Sequence, residues 1–188
     1  MNPSAPPSSD LIRITLAGGC FWCLEAVYVR VQGVRGVQSG YANSRVPRPD
    51  YAAVCTGRTG AAEAVQIDFD PALIRLDEIL DIFWQIHDPT TLNRQGADEG
   101  TQYRSGLYAQ DAGQLALLQQ AVQRAQAKFA APIVTEVALL DNFTPAEPEH
   151  LRYFERQPNQ GYCRLVVAPK VGKLRQKFAQ RSSDGALL

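Results

Sequence analysis

The stretch Gly18-Gly19-Cys20-Phe21-Trp22-Cys23-Leu24-Glu25-Ala26 joins an apolar run, residues 11–16, to a segment with helical periodicity. The run is typical of a β-strand, and apolar residues then recur at the spacing of one helix face, at Phe21, Leu24, Val27, Tyr28 and Val31. Because the glycine pair permits a sharp turn, we expect Cys20 at or just before a helix N-terminus. Unpaired N–H groups there favour an anion. The sequence therefore predicts a Cys20 thiol with a lowered pKa, partly thiolate at neutral pH.

Length and composition indicate one globular domain. The chain has 188 residues, of which 45% are hydrophobic, enough for a proper core. Nineteen basic and nineteen acidic residues cancel, which argues against nucleic acid or an anionic membrane as partner. We expect a disordered lead-in over 1–10, a folded domain over 11–181 and a disordered tail over 182–188. The lead-in has no basic cluster or apolar core of a secretory signal, so we expect a cytoplasmic protein, and a monomer.

Hydrophobic periodicity predicts strands and helices in alternation. We expect strands over 64–69, 105–109 and 133–140, and helices over 76–87, 115–129, 145–156 and 171–180. Residues 41–59 and 90–104 read as long loops, and 162–167 as a short strand or extended segment. This order predicts an α+β sandwich, with helices packed against one mixed sheet, long loops and an extended C-terminal segment. Two split βαβ crossovers would make its core ferredoxin-like.

The four cysteines, at 20, 23, 55 and 163, allow several chemistries. Cys20 and Cys23 form a C-x-x-C, which is compatible with two buried small side chains, with a thioredoxin-like dithiol, or with half of a zinc site. Zinc requires four ligands, usually as two close pairs, and Cys55 and Cys163 are single. Phe21 and Trp22 lie between the paired cysteines. They can anchor the helix to the core, or form an apolar cradle for a methyl or thioether group.

Several motifs in order along the chain resemble the A-type peptide methionine sulfoxide reductases. They are Gly19-Cys20-Phe21-Trp22 with Glu25, Val54-Cys55-Thr56-Gly57, Thr59-Gly60 with Glu63, Gly100-Thr101-Gln102-Tyr103-Arg104-Ser105 and Gly161-Tyr162-Cys163. The resemblance runs from about residue 11 to about residue 170. It implies that the protein reduces the S epimer of methionine sulfoxide in proteins, in peptides and as the free amino acid. It also implies regeneration by thioredoxin and no metal or organic cofactor.

The same resemblance implies roles for individual residues. Cys20 matches the nucleophile that attacks the sulfoxide sulfur, and Cys163 matches a recycling cysteine. The substrate pocket is matched by Phe21 and Trp22 around the methyl group, Glu63 as the acid that protonates the sulfoxide oxygen, Tyr51 and Tyr103 as hydrogen-bond donors to it, and Asp98 as a polar lining residue. A sulfoxide oxygen is a poor leaving group until it is protonated. Glu63 must therefore have a pKa raised by burial in order to act near pH 7.

The sequence departs from the family pattern at two positions. Ala61 stands where the family commonly has a histidine, which removes an imidazole from the neighbourhood of Glu63. Cys23 stands where many relatives have glycine, so it can compete with Cys163 to convert the Cys20 sulfenic acid to a disulfide. We favour Cys163 and expect Cys55 to be buried and inert. The alternatives are a general thiol–disulfide oxidoreductase and, as a different class, a zinc-binding module.

Overall fold

A computed structural model describes residues 10–183. Residues 1–9 of the predicted lead-in and 184–188 of the predicted tail lie outside the described residues. Two residues of the predicted tail belong to the folded body. Ser182 is buried and bridges to Val31, and the Ser183 N–H donates to the Arg30 carbonyl at 2.8 Å. Within 10–183, no helix combines the length and apolar character that crossing a membrane requires.

A six-stranded mixed sheet forms the centre of the fold, in the order β7-β6-β1-β3-β2-β8. Its strands are β1 (Ile12–Gly18), β2 (Val34–Ala42), β3 (Ala62–Phe69), β6 (Ser105–Ala109), β7 (Glu136–Leu139) and β8 (Phe143–Pro145). A small hairpin is made by β4 (Arg94–Gln95) and β5 (Asp98–Glu99). The α-helices are α1 (Phe21–Tyr28), α2 (Tyr51–Cys55), α3 (Leu76–Ile86), α4 (Ala112–Ala125), α5 (Tyr153–Arg156) and α6 (Ala168–Lys177).

The core of this sheet is ferredoxin-like, as the sequence predicts. The units β1-α1-β2 and β3-α3-β6 interleave to give the order β6-β1-β3-β2, in which every neighbouring pair is antiparallel. Only β6 and β7 pair in parallel among the strand pairs of the described residues. The predicted α+β class is therefore confirmed.

Strand β3 shows why a carboxyl group lies inside the protein. Successive side chains of a strand point to opposite faces, so Glu63 shares a face with Val65 and Ile67. These two side chains belong to the main apolar cluster, together with Leu24 of α1 and Phe83 of α3. Glu63 is therefore directed toward the side of the sheet on which α1 packs, and it is only 1% exposed.

Two sequence-based element predictions fail near the C-terminus. The helix predicted over 145–156 is interrupted by Arg152, whose φ of 52° is left-handed, so only the four residues of α5 are α-helical there. The short strand or extended segment predicted over 162–167 is instead helical, with a π-helical turn, Cys163–Val167, that continues directly into α6. Its β-branched residues favour a strand by propensity. Burial of Cys163, Val167 and Val171 at helical spacing prevails instead.

The predicted loop over 41–59 also contains regular structure. Its first two residues end strand β2, and its second half contains the five-residue helix α2. Asp50 caps this helix, because its carboxylate accepts the N–H of Ala53 at 2.8 Å. Because Tyr51 is the first residue of α2, this cap fixes the backbone position of Tyr51.

Candidate active site

Cys20 is the N-cap residue of α1, where the sequence places it. The chain leaves β1 through Gly18 and Gly19, and Gly19 has a φ of 88°, which favours glycine. A side chain at either glycine would collide with a neighbour, since an added Cβ would lie 2.9 Å from the Phe83 ring at Gly18 and 2.6 Å from Gln95 at Gly19. The turn therefore depends on both glycines.

Glu63 lies beside Cys20 at the start of the same helix. The Phe21 N–H donates to its carboxyl oxygen Oε2 at 3.1 Å, and the Cys20 thiol is within hydrogen-bond reach of the carboxyl group. The pKa of Glu63 is raised to about 8, chiefly by burial. The nearby charge of Asp98 also raises this pKa, whereas the two hydrogen bonds lower it. At pH 7 the carboxyl group is therefore mostly protonated.

The Cys20 thiol behaves in the opposite way to the sequence-based prediction. Its pKa is raised well above the ordinary value, first by burial and then by the charges of Glu63 and Cys23. The Trp22 N–H and the Tyr162 hydroxyl stabilise the thiolate but do not reverse the shift. The predicted lowering of this pKa is wrong, because the helix N-terminus lies in an interior where a charged sulfur loses its hydration.

The two predicted phenols both lie near this pair. Tyr51 opens helix α2, and Tyr103 ends a 3-10 turn, Thr101–Tyr103. Burial raises both phenol pKa values, and the charges of Glu63 and Cys20 contribute at both residues. Both phenols are therefore protonated at neutral pH and can donate a hydrogen bond.

The two aromatic residues after Cys20 have different surroundings. Phe21 is fully buried, with its ring centroid 5.7 Å from that of Tyr41. Trp22 is half-buried, and its ring lies 3.9 Å from that of Tyr153 at an interplanar angle of 8°. Phe21 anchors the helix to the core, whereas Trp22 presents part of its ring outside the core.

A hydrogen bond between Glu25 of α1 and the start of α5 helps to hold the Trp22 ring in place. Trp22 and Glu25 are three residues apart on α1 and share a helix face. The buried Glu25 carboxylate accepts the Arg152 N–H at 2.8 Å, at the start of α5. Tyr153, the first residue of α5, stacks on Trp22. Glu25 therefore fixes the short helix that supports the Trp22 ring.

Tyr162 and Glu147 are site residues that sequence reasoning missed. The Tyr162 hydroxyl donates to Asp98 at 2.5 Å, and its oxygen is within hydrogen-bond reach of the Cys20 and Cys23 thiols. Its only sequence signal is its place beside Cys163. Glu147 accepts the Tyr51 N–H at 2.7 Å and thereby fixes the start of α2.

The remaining cysteines lie in three different environments, and all four cysteines are free thiols. Cys23 is buried in α1, with Lys170 and the Tyr162 hydroxyl close to its sulfur. Cys163 is fully buried in the π-helical turn, where burial raises its pKa. Cys55 is exposed, which corrects the prediction that it is buried, because α2 is a surface helix in which only Val54 is buried.

Neither the departure at Ala61 nor the nearby His87 provides an imidazole that acts on Glu63. Ala61 is buried, and no imidazole is among the groups that perturb the Glu63 pKa. His87 is a structural residue, because its ring nitrogens lie 2.6 Å from the Phe83 carbonyl and 2.8 Å from the Ser105 hydroxyl. Across the described residues, no three His, Cys, Asp or Glu side chains are grouped so as to hold a metal ion.

A buried thiol beside a carboxyl group that is protonated at pH 7, with two phenols close by, defines a cysteine-dependent oxidoreductase. The family model described as peptide methionine sulfoxide reductase matches residues 12–182. The chain belongs to this family, and it is an enzyme that reduces methionine sulfoxide. The resemblance read from the sequence is confirmed.

Curated and solved proteins agree with this assignment. The peptide methionine sulfoxide reductase MsrA of Polynucleobacter asymbioticus is 51% identical over 170 residues, which cover 89% of this chain and 90% of that protein. The crystal structure of reduced Mxr1 from Saccharomyces cerevisiae has a TM-score of 0.75 and 37% identity, covering 85% of this chain and 92% of that one. The crystal structure of the yeast Mxr1 in complex with Trx2 has a TM-score of 0.54 and 29% identity, covering 80% of this chain and 89% of that one.

The raised Cys20 pKa predicts that the substrate-free enzyme holds a thiol at neutral pH. Thiolate absorbance in the ultraviolet, compared between wild type and Cys20→Ser, should show no Cys20 step below about pH 9. In Glu63→Gln the step should move to lower pH, because one negative charge beside the sulfur is gone. A Cys20 thiolate already present at pH 7 in the wild type contradicts the buried-thiol description.

The contact between Glu25 and Arg152 predicts a loss of stability in Glu25→Ala. The substitution leaves a backbone donor without its acceptor, so the free energy of unfolding in urea should fall by about 1–3 kcal/mol. Glu25→Gln keeps an acceptor oxygen and should lose less. Glu155→Ala is the matched control, since it removes partly exposed ion pairs with Arg30 and with the Arg152 side chain that are together worth about 1 kcal/mol or less, and it leaves the Arg152 N–H bonded. Equal losses in Glu25→Ala and Glu155→Ala contradict the assignment.

Proposed function

We propose that Cys20 attacks the sulfur of methionine S-sulfoxide, free or in a peptide, while Glu63 protonates the departing oxygen. The observation that carries this proposal is the Glu63 carboxyl group, which is buried beside the Cys20 thiol with a pKa of about 8. An acid that is protonated at neutral pH is what a sulfoxide oxygen requires.

Cys20 and Glu63 together account for every proton and electron in the reduction of the sulfoxide. Glu63 gives its proton to the sulfoxide oxygen and receives the proton of the Cys20 thiol, so its protonation state is unchanged overall. The oxygen moves in net terms from the substrate sulfur to the Cys20 sulfur. Methionine leaves reduced by two electrons, and Cys20 becomes a sulfenic acid, oxidised by two. The raised pKa of the thiol suits this exchange, because the proton leaves only when Glu63 can take it.

Four further residues complete the proposed pocket. Tyr51 and Tyr103 donate hydrogen bonds to the oxygen as charge develops on it, and their raised pKa values keep them protonated. Trp22, with Phe21 behind it, packs on the substrate methyl group. Its support by Tyr153 keeps the ring surface fixed.

Cys163 is the proposed resolving thiol. Its thiol condenses with the Cys20 sulfenic acid to a disulfide and releases water. This role is supported by Tyr162, the residue next to Cys163 in the chain. The Tyr162 hydroxyl is within hydrogen-bond reach of the Cys20 thiol, so Cys163 is only one residue along the chain from a group that already contacts Cys20. Cys23 is the alternative, supported by its place one helical turn from Cys20 and by the effect of its charge on the Cys20 pKa.

Thioredoxin is the proposed reductant of that disulfide. The support is the yeast Mxr1, which is similar over 80% of this chain and was solved in complex with Trx2. Thiol reduction needs no metal or organic cofactor, so none is part of the proposal. A cytoplasmic location agrees with four free thiols and a dithiol reductant. We also propose that the enzyme is a monomer.

The acid role of Glu63 predicts the effect of Glu63→Gln. The amide cannot transfer a proton, so kcat/KM for methionine S-sulfoxide should fall by about 10²–10³, as for loss of one oxyanion-stabilising group. In the wild type, kcat/KM should fall as pH rises through about 8, because Glu63 loses its proton there. The variant should lack this decline.

Glu99→Gln is the matched control for this prediction, since Glu99 is exposed on β5. The experiment also separates the rival function. A general thiol–disulfide oxidoreductase would reduce a disulfide such as that of insulin and would not depend on Glu63. A Glu63→Gln variant with wild-type sulfoxide turnover contradicts the proposed mechanism.

A single turnover without reductant identifies the resolving cysteine. We expect mass mapping of the oxidised protein to show a Cys20–Cys163 disulfide and one equivalent of methionine. Cys163→Ser should accumulate the Cys20 sulfenic acid, trapped by dimedone. A Cys20–Cys23 disulfide in the wild type instead assigns the step to Cys23.

A further inference from the structure

A groove with a cavity volume of about 350 Å³ opens beside the active site. One wall is the β4–β5 hairpin, residues 95–98, and the other is the C-terminal helical segment from Tyr162 to Lys173. We refer to it as the α6 groove. It shares Asp98 and Tyr162 with the candidate active site, and its other lining residues have no part in the proposed handling of the sulfoxide.

The α6 groove adjoins the site around Cys20. Asp98 and Tyr162 line the groove, and the hydrogen bond between them, 2.5 Å long, forms the shared wall. The Tyr162 oxygen is also within hydrogen-bond reach of the Cys20 thiol. A peptide with its sulfoxide at Cys20 must place its neighbouring residues next to the pocket, and this groove adjoins it.

Two lysines against one carboxylate, Asp98, give the groove lining a net positive charge. Lys170 is partly buried, with its ammonium within hydrogen-bond reach of the Cys23 thiol, and Lys173 is exposed. Within residues 10–183, neither forms an ion pair with a carboxylate, whereas Lys128 contacts Asp81 at 2.7 Å. The charges of the whole chain cancel, so this positive spot is a local feature.

The groove lining also contains apolar side chains. Leu165 lines the groove and is 80% exposed, the largest exposure among the large hydrophobic side chains of the described residues. Val166 and Pro169 belong to the same lining. Apolar side chains together with two lysines suit a peptide segment that carries an acidic side chain.

We propose that the α6 groove binds the residues that flank methionine sulfoxide in a peptide and that it favours an acidic side chain there. The inference rests on the proposed function, since it requires the sulfoxide to lie at Cys20. It adds a substrate preference set by Lys170 and Lys173. Free methionine sulfoxide has no flanking residues and so does not use the groove.

The test compares peptides that differ only beside the sulfoxide. Glu, Gln or Lys is placed on both sides of one methionine S-sulfoxide, and kcat/KM is measured with dithiothreitol as reductant. We expect the Glu peptide to exceed the Lys peptide by about three- to fivefold at low salt, as partly exposed charge pairs permit. The ratio should shrink toward one in concentrated salt. Equal kcat/KM for the Glu and Lys peptides overturns the proposal.

Charge reversal locates the preference in the groove. Lys173→Glu should bring the ratio of Glu to Lys peptide to about one, because the new carboxylate offsets the charge of the remaining Lys170. Lys177→Glu is the matched control on the same helix, since Lys177 donates to Gln85 and lies outside the groove lining. Equal shifts in the two variants overturn the proposal, because they would show an effect of net charge alone.

Two further measurements separate this inference from neighbouring ones. Free methionine sulfoxide serves as the reference substrate for every protein, and failure of the wild type to reduce it counts against the proposed function, not against the groove. The peptide series is repeated with thioredoxin. A preference that is seen only with thioredoxin overturns the proposal and assigns the groove to the reductant.

Discussion

The hydrogen bond from the Phe21 N–H to the Glu63 carboxyl group is the contact on which the site depends. It joins the first turn of α1 to strand β3 at the residue next to Cys20. The tight turn at Gly18 and Gly19 sets the position of α1, and the alternation of β3 directs Glu63 to the same side. The Cys20 sulfur and the Glu63 carboxyl group are therefore brought together by a strand, a turn and a helix, all three of them regular backbone features.

Burial then determines the protonation of both groups. It raises the pKa of the Cys20 thiol and of the Glu63 carboxyl group, so both are neutral at pH 7 before substrate arrives. A neutral thiol is a poor target for small oxidants, because oxidation follows thiolate character and exposure. In the proposed mechanism, the same burial protects Cys20 in the resting enzyme and keeps Glu63 able to donate a proton. That mechanism needs the thiolate only when the Glu63 proton is already moving to the sulfoxide.

The sequence predicts those parts of the structure that depend on local pattern. Strands β1 and β3, helices α3 and α4, and the place of Cys20 follow from periodicity and glycine. The failures have tertiary causes. Arg152 has a left-handed φ, and its N–H donates to Glu25, a partner distant in sequence that a local pattern does not reveal. The sign of the Cys20 pKa shift depends on burial, which a helix-terminus argument does not contain. Tyr162 has no local signal beyond its neighbour Cys163.

The two candidate resolving cysteines differ in how far the chain must move to bring each sulfur to Cys20. Cys23 is held on α1, one turn from Cys20, and it can approach the sulfenic acid with little backbone change. Successive residues of a helical turn point in different directions, so Tyr162 at the site turns Cys163 away from it. In the proposed mechanism, Cys163 would approach Cys20 by unwinding of the π-helical turn Cys163–Val167 and release of Tyr162 from Asp98. A π-helical turn is a rare conformation that is often found at functional sites, so under this proposal its opening would decide between a disulfide with Cys163 and one with Cys23.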